Sequence, residues 1–127
     1  MQKILVVEDE KIAMEMIKII LTNEGFQVIE ATDGFEAYEK LKEEKPDLII
    51  TDVVMPGVDG YQLSRLVKSD TILCKTPIVI VSATKKSEHD SRVGKEQCQA
   101  DAYITCPFEP HVLIKTVKEL LQKQVDG

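Results

Sequence analysis

The sequence predicts an α/β fold in which helices cover both faces of a parallel β-sheet. Five short runs of β-branched and other apolar residues alternate along the chain with longer segments that suit helices. Parallel strands joined by right-handed helical crossovers give this alternation and place helices on both faces of the sheet. The chain has 127 residues, of which 43% are hydrophobic and 30% charged, so we expect a single domain over 1–127.

The strands are predicted from five short apolar runs. They are KILVVE (3–8), FQVIEA (26–31), DLIIT (47–51), PIVIVSA (77–83) and DAYIT (101–105). The first, third and fourth runs are nearly all apolar, which is typical of parallel strands that are buried on both faces. We therefore expect these three strands to lie under helices on either side.

Two of the connecting segments are predicted to be amphipathic helices. In KIAMEMIKIILTNE (11–24) one face carries Ile12, Met16, Ile19 and Ile20. In HVLIKTVKELLQKQ (111–124) one face carries Val112, Leu113, Val117, Leu120 and Leu121. We expect both faces to pack on the sheet, and we interpret Met14, Met16 and Met55 as core or packing residues.

Glycine, proline and capping residues support the helix boundaries. Gly25 follows the first helix, Asp33 and Glu36 form a capping pair, Pro46 ends the second helix, and Pro110 suits a first helical turn. The segment 87–99 offers only Val93 and Cys98 to a core and contains Gly94. We expect a short, loosely held helix there.

Composition disfavours several classes of function. The net charge of −6 provides no basic surface for nucleic acid or for a membrane, so proteins or a cation are the expected partners. The first residues, MQKILVVEDE, turn acidic where a signal peptide would continue, and no apolar stretch is long enough to span a membrane. We therefore expect a soluble, cytoplasmic protein.

The chain carries few signs of metal, redox or hydrolytic chemistry based on sulfur or histidine. Its cysteines, Cys74, Cys98 and Cys106, are odd in number and lack a CxxC pair, which argues against disulfides and a zinc site. His89 and His111 have no second ligand at metal spacing, and neither follows a strand, so we assign them no role. No GxxxxGK[ST] or GxGxxG loop is present to hold a nucleotide.

Polar residues gather where the predicted strands end. Glu8, Asp9 and Glu10 follow the first strand, Asp52 the third and Cys106 the fifth, and Ser82–Thr84 end the fourth. In open α/β sheets, ligands bind beyond the carboxyl ends of the strands, where the strand order reverses. Carboxylates packed together repel one another unless a cation intervenes, and an all-oxygen cluster suits a hard ion. These strand ends therefore predict a Mg²⁺ site.

Four stretches together give a family resemblance: ILVVEDE, PDLIITDVVMPGVDGYQL, PIVIVSA and DAYITCPFEP. In this order and spacing, from Lys3 to about Lys123, the chain closely resembles the receiver domain of bacterial two-component response regulators, the CheY-like domains. The resemblance implies a flavodoxin-like, doubly wound sheet of five parallel strands in the order 2-1-3-4-5. It also implies a signalling domain rather than an enzyme, although one that assists its own phosphorylation and dephosphorylation.

The resemblance assigns a role to each residue at the strand ends. Asp52 would accept a phosphoryl group from a phosphohistidine, and Glu8, Asp9, Asp52 and the backbone carbonyl of Val54 would bind Mg²⁺. Partners would be a sensor histidine kinase or phosphotransfer protein, with no direct contact to nucleic acid or membrane, and the domain would be a monomer or a weak dimer.

Signal output is also implied by the resemblance. Ser82 matches the hydroxyl that contacts the phosphoryl group, and Tyr103 matches the aromatic residue that changes rotamer on activation. A downstream protein would bind the face formed by the predicted helix at 87–99, the fifth strand and the last helix.

Each of these assignments has a structural alternative. Asp52 could be a helix cap or a turn residue, and Glu8 and Asp9 could complement the dipole of the first helix. Ser82 could be a satisfied hydroxyl at the end of a strand, and Tyr103 could be a half-buried aromatic on an edge strand.

Cys106 is the main departure from the family, which nearly always has a lysine at this position. A thiol beside three carboxylates should remain neutral and cannot replace the missing cation. Lys85 or Lys86 could reach the site, but we favour the interpretation that both are solvated surface lysines. The resemblance also implies a cis bond between Cys106 and Pro107.

Three functions are left open by these residues. The first is a receiver that is phosphorylated, and the second is a degenerate receiver that acts as a constitutive interaction module because Cys106 replaces the lysine. The third, a flavodoxin-like binder of small molecules, is disfavoured by the acidic site.

Overall fold

Strands and helices alternate as predicted from the first strand to the fourth, and a helix follows the fifth strand. The structure, a computed structural model, describes residues 2–53, 59–83 and 100–126. The elements are β1 (Lys3–Val7), α1 (Lys11–Asn23), β2 (Gln27–Ala31), α2 (Gly34–Glu44), β3 (Leu48–Asp52), α3 (Gly60–Ser69), a 3-10 helix (Leu73–Lys75), β4 (Ile78–Ala83), β5 (Ala102–Cys106) and the C-terminal helix (Pro110–Asp126). Each strand begins and ends within one residue of its predicted bounds.

The strands form one parallel sheet in the order β2-β1-β3-β4-β5, which confirms the expected flavodoxin-like topology. In the central strands, Val7 lies opposite both Ala31 of β2 and Thr51 of β3. Asp52 is paired with Val81 of β4. This register brings the carboxyl ends of β1, β3 and β4 to one edge of the sheet, with the reversal of strand order at β1 and β3.

Two hydrophobic clusters lie on opposite faces of the sheet. One joins alternate strand residues, such as Ile4 and Val6, to α1 and the C-terminal helix. The other joins the intervening residues, such as Leu5 and Val7, to α2 and α3. Because β1, β3 and β4 contribute to both clusters, their near-continuous apolar sequences are explained by burial on both faces.

The prediction for the buried face of α1 is wrong. The side chains turned to the core are Met14, Ile17 and Leu21, each 5% exposed or less. Ile12, Met16 and Ile19 are instead 71%, 57% and 55% exposed, and Ile20 is partly buried. This helix is apolar on nearly all sides, so both sets have helical spacing, and the direction in which the chain leaves β1 decides between them.

The C-terminal helix buries most of the predicted face. Leu113, Val117 and Leu121 are buried, Leu120 packs partly against the core, and Val112 is exposed. Of the methionines, Met14 is in the core as predicted, Met16 is exposed, and Met55 lies outside the described residues.

The predicted boundary residues act as expected. Gly25 has a φ of 89° just after α1, where a side chain would be strained. Asp33 caps α2 by accepting a hydrogen bond from the Glu36 N–H at 2.8 Å, and Pro110 is the first residue of the C-terminal helix. The bond between Cys106 and Pro107 is cis. The helix expected at 87–99 lies outside the described residues.

Within the described ranges, every helix is too short or too polar to span a bilayer. Cys74 and Cys106, the two cysteines in the described part of the chain, are not joined by a disulfide.

Candidate functional site

Three carboxylates meet at the edge of the sheet where the strand order reverses. Glu8 directly follows β1, Asp52 is the last residue of β3, and Asp9 begins the turn into α1. One carboxylate oxygen from each of the three lies within 4.8 Å of the others. The structure therefore brings together the three acids that the sequence places at these strand ends.

Glu8 is the buried member of this acidic cluster, with 7% of the residue exposed. Its backbone N–H donates to the carbonyl of Ala31 at 3.0 Å, which holds the residue in line with the sheet, and its Oε1 accepts a hydrogen bond from the Glu10 N–H at 3.0 Å. Burial and, to a lesser extent, the neighbouring charges of Asp52 and Asp9 raise the pKa of Glu8 from 4.5 to about 7, although the hydrogen bond from the Glu10 N–H lowers it. The surroundings of Glu8 therefore disfavour a negative charge on its carboxyl group, which would be the third in the cluster.

Asp52 is half-buried and is held by contacts with its neighbours in the chain. Its Oδ1 accepts a hydrogen bond from the Val53 N–H at 2.8 Å, and its backbone carbonyl accepts one from the Thr51 hydroxyl at 2.9 Å. Thr51 is fully buried, so the end of β3 is fixed from within the sheet. The carboxylate is thereby oriented at the edge.

Gly60 packs against the backbone of Asp52, a contact that the sequence analysis missed. A Cβ atom built on Gly60 would lie 2.2 Å from the Asp52 carbonyl oxygen and 3.1 Å from the Val53 Cα. The Gly60 N–H also donates to the Val53 carbonyl at 2.9 Å. Only glycine fits this approach, because the atoms it meets belong to the backbone and cannot rotate away.

Gly60 is the first residue of α3 and directly follows the N-cap residue Asp59. Asp59 accepts a hydrogen bond from the Gln62 N–H at 2.8 Å, and the Gln62 side chain accepts one from the Asp59 N–H at 2.9 Å, which forms a capping box. The spacing of Asp59 and Gln62 is visible in the sequence and is the signal that could have located this helix start.

Ser82 and Cys106 lie on the neighbouring strands at the same edge. Ser82 follows Val81, the partner of Asp52, and is half-buried; Cys106 ends β5 and is paired with Ala83. Burial raises the pKa of the Cys106 thiol, and the charges of Asp52 and Glu8 raise it further. Cys106 is therefore a neutral thiol near the carboxylates at neutral pH.

The remaining predicted residues lie on β5, near the start of the C-terminal helix or outside the described ranges. Tyr103 is partly buried on β5, where it packs against the α2 and α3 side of the core. Val54, Lys85, Lys86 and His89 lie outside the described residues, and His111 is exposed near the start of the C-terminal helix.

The acidic cluster fits a hard divalent cation. All three ligand atoms are carboxylate oxygens, which Mg²⁺ prefers over nitrogen or sulfur. Burial, followed by the charges of Asp52 and Asp9, raises the pKa of Glu8, and a bound cation would offset those charges. Glu8, Asp9 and Asp52 are thus the residues that could hold such an ion.

Comparison with known proteins identifies the fold and its family. Residues 4–118 match the model of the response regulator receiver domain. The chain belongs to this family. Receiver domains are signalling domains rather than classical enzymes; they bind Mg²⁺ at an acidic pocket and interact with histidine kinases or phosphotransfer proteins and with downstream effectors.

Similar proteins include receivers of different overall length. The phosphate regulon transcriptional regulatory protein PhoB of Pseudomonas aeruginosa is 36% identical over 98% of this chain, which spans about half, 53%, of that relative. Protein PilH of the same organism is 36% identical over 95% of this chain and 98% of its own length. A crystal structure of the signal receiver domain of a histidine kinase from Syntrophus aciditrophicus superposes with a TM-score of 0.92 at 37% identity, covering 97% of this chain and 92% of that one.

Proposed function

We propose that this receiver domain accepts a phosphoryl group on Asp52 in a Mg²⁺-dependent transfer from a phosphohistidine. The observation that carries the proposal is the grouping of Glu8, Asp9 and Asp52 within 4.8 Å at the edge of the sheet where strand order reverses. Ligand sites in such sheets occupy this position. The alternative roles of the three acids, as caps or dipole partners, do not require them to converge.

Asp52 suits the role of nucleophile. Phosphoryl transfer needs an attacking oxygen that is held in line with the phosphorus and the leaving group. The Val53 N–H orients the carboxylate through Oδ1, and the buried Thr51 and the glycine contact at residue 60 fix the backbone behind it. These contacts reduce the freedom of the nucleophile before the donor arrives.

Glu8 and Asp9 would hold the metal beside Asp52, together with the backbone carbonyl of Val54 that the family resemblance suggests. When bound, Mg²⁺ offsets negative charge on the phosphoryl oxygens during transfer. Glu8 must lose its proton to act as a full ligand, and its pKa of about 7 means that it does so near neutral pH. Exposed Asp9 leaves the site open to solvent on one side.

Ser82 and Cys106 shape the response to the phosphoryl group. We propose that the Ser82 hydroxyl contacts the phosphoryl oxygens and draws the segment that follows it inward, with Tyr103 changing rotamer. The face for a downstream protein would comprise residues 87–99, β5 and the C-terminal helix. A phosphoryl group adds negative charge and acceptor oxygens, which can shift an existing equilibrium between two forms of this face.

A degenerate receiver is the second candidate, and Cys106 is the observation that favours it. The family's lysine supplies a cation to the phosphoryl oxygens, whereas the thiol of Cys106 is held neutral by burial and by the nearby carboxylates. Transfer to Asp52 should therefore be slow or its structural effect small. In the limiting case the fold would act as a constitutive interaction module.

Labelling with acetyl phosphate separates the two candidates. The parent chain is incubated with acetyl phosphate and Mg²⁺ and its intact mass is followed over time, beside Asp52→Asn and a matched control, Asp33→Asn. Asparagine caps helices about as well as aspartate, so Asp33→Asn makes the same chemical change at α2 without loss of the cap.

We expect one phosphoryl group on the parent and on Asp33→Asn, only with Mg²⁺ present, and none on Asp52→Asn. Equal labelling of Asp52→Asn and the parent would disprove the assignment of Asp52. A parent that stays unlabelled while Cys106→Lys is labelled would establish the degenerate receiver.

A further inference from the structure

β2 forms one edge of the sheet, because it pairs with β1 on one side and comes first in the spatial order of the strands. Alternate residues of a strand in a parallel ladder direct their backbone N–H and carbonyl groups to opposite sides. Gln27 donates to a carbonyl just before β1, and Ala31 accepts from an N–H just after it, so both residues face β1. The backbone groups of Val28 and Glu30 therefore point away from β1, toward the free edge.

Two lysines, one from each face of the sheet, contact Glu30. Lys18 of α1 donates to the Glu30 carboxylate at 3.1 Å. Lys40 of α2 donates to the Glu30 backbone carbonyl. Since α1 and α2 pack on opposite faces of the sheet, the two side chains reach the edge strand from either side. Of these two contacts, the one from Lys40 occupies a backbone group that another strand could use.

A short network holds Lys40 at this position. Its Nζ lies 3.7 Å from the Oε1 of Glu36, one turn earlier on α2. The same oxygen accepts a hydrogen bond from the Thr32 N–H, just after β2, at 2.9 Å. The side chains of Lys40 and Glu36 are 35% and 41% exposed, and ion pairs with this exposure contribute little to the free energy of unfolding. Overall stability therefore does not account for the arrangement.

Protection of the edge accounts for it better. The free edge of a sheet can pair with a strand of another chain, and a lysine placed on the edge is one of the features by which proteins prevent this. The sequence of β2 is QVIEA, in which Val28 and Ile29 are β-branched and favour strand pairing. A strand of this kind needs such protection if the chain is to remain a monomer.

A second copy of β2 fits the free edge. In an antiparallel pair centred on Ile29 of both copies, Val28 of one copy lies opposite Glu30 of the other, and the two residues exchange backbone hydrogen bonds. A two-fold axis then relates the copies, as in most homodimers. The Glu30 carboxylates are not directly opposite one another, and each is already paired with Lys18, which reduces repulsion between the copies. Lys40 lies at the Glu30 carbonyl and so blocks half of these hydrogen bonds.

We propose that Lys40 protects the free edge of β2 against pairing with β2 of a second copy, and that this edge is a latent dimer interface of the chain. Removal of the lysine would let two sheets join into one continuous sheet. The dimer does not depend on phosphorylation of Asp52, so it adds a surface for self-association to the signalling role proposed above.

The test compares two lysines that contact the same residue. Lys40→Met keeps an unbranched side chain with good helix propensity but removes the charge and the donor. Lys18→Met is the matched control, because it makes the same change in net charge and leaves the Glu30 carbonyl untouched; the Lys18 side chain is 40% exposed, against 35% for Lys40. Sedimentation equilibrium measures dimerisation, and hydrogen exchange at the Val28 and Glu30 amides locates the interface.

We expect Lys40→Met to dimerise with a Kd at least about tenfold below that of the parent, or below the limit set by the highest concentration at which the parent is a monomer, a change worth about 1.4 kcal/mol. The amides of Val28 and Glu30 should become protected from exchange as the concentration of this variant rises. Lys40→Gln, which also removes the charge, should behave in the same way. Lys18→Met should match the parent, and all variants should keep the circular dichroism of the parent.

Three results would overturn the proposal. In the first, Lys40→Met and Lys40→Gln stay monomeric over the whole concentration range or dimerise within about twofold of the parent Kd. In the second, Lys18→Met dimerises as tightly as Lys40→Met, which would assign the effect to the loss of positive charge and not to the edge carbonyl. In the third, the dimer of Lys40→Met leaves the amides of Val28 and Glu30 unprotected, which would place its interface elsewhere.

Discussion

The pKa of Glu8 makes the stability of the metal-free domain depend on pH in an unusual direction. The pKa of this carboxyl group is 4.5 in the unfolded chain and about 7 in the folded chain. Between these values the folded state holds more protons than the unfolded state, so the free energy of unfolding falls as pH rises through this window. Most carboxylates in proteins act in the opposite sense, because favourable contacts lower their pKa.

The magnitude follows from the size of the difference. Raising a pKa from 4.5 to about 7 corresponds to roughly 3 kcal/mol of stability lost once Glu8 is fully ionised. Water beside exposed Asp9 screens part of this repulsion. We therefore expect a loss of ~1–3 kcal/mol between about pH 5 and pH 8 in the absence of metal.

The assay is urea unfolding in the presence of a chelator at several pH values, for the parent and for Glu8→Gln. Glutamine keeps the shape of the side chain but does not ionise, so the difference between the two proteins isolates Glu8 from other titrating groups. The variant should become the more stable protein as pH rises. Mg²⁺ at about 100 times its Kd should add about 2.7 kcal/mol to the parent at pH 8.

Parallel stability curves for the parent and Glu8→Gln from pH 5 to pH 8 would refute this reasoning. They would mean that Glu8 titrates at an ordinary value, and that neither burial nor the adjacent carboxylates disfavour its charge. A parent that gains stability over this range relative to the variant would reverse the sign of the argument.

Three further predictions, one of them with a control variant, test other parts of the structure. Cys106→Lys lowers the formal negative charge of the site from three to two. At pH 8, calorimetry should therefore show Mg²⁺ affinity lower by on the order of tenfold, while acetyl phosphate labelling becomes faster. Tighter Mg²⁺ binding, or no gain in labelling rate, would contradict this. Lys68→Ala removes a cation that pairs with a carboxylate at 2.9 Å and donates to two backbone carbonyls, so urea unfolding should show a loss of about 1–3 kcal/mol. Lys18→Ala removes an exposed ion pair and should lower the free energy of unfolding by much less. Equal losses for the two variants would show that burial of the pair is unimportant. Gly60→Ala should lose about 1–3 kcal/mol despite the better helix propensity of alanine, because its Cβ meets a carbonyl at 2.2 Å; a more stable variant would show that the contact relaxes freely.

The strands and the acidic cluster could be predicted because local sequence determines both. A run such as Ile4–Val7 is apolar at every position, which suits a strand covered on both faces. The carboxyl ends of parallel strands must share an edge, so acids that follow two central strands converge whatever the details of packing. The convergence of Glu8 and Asp52 could therefore be predicted without further information.

The buried face of α1 could not be predicted from periodicity. Met14, Ile17 and Leu21 share helical spacing as well as Ile12, Met16 and Ile19 do, and apolarity does not distinguish the two sets. The choice depends on the direction in which the chain leaves β1, which hydrogen bonds around residues 8–10 determine, including one to β2. The contact to β2 joins residues that are far apart in the sequence.

The burial of Glu8 and the close contact between Gly60 and Asp52 also could not be predicted from the sequence. Glu8 and Asp9 are neighbours with similar side chains, yet the first is buried and the second exposed, and only the packing of β1 against its neighbours separates them. The role of Gly60 depends on a contact with a residue eight positions earlier in the chain. A glycine beside a helix cap does not reveal such a partner.

The contact between Gly60 and Asp52 joins the proposed phosphoacceptor to α3 as a rigid mechanical linkage. Side chains that meet one another can absorb a small displacement by changing rotamer, but here backbone touches backbone and is bonded at the next residue. A shift of the chain at the end of β3 would therefore act directly on the first turn of α3. The position of this helix relative to the sheet thus depends directly on the geometry of the site, regardless of which ligand or modification changes it.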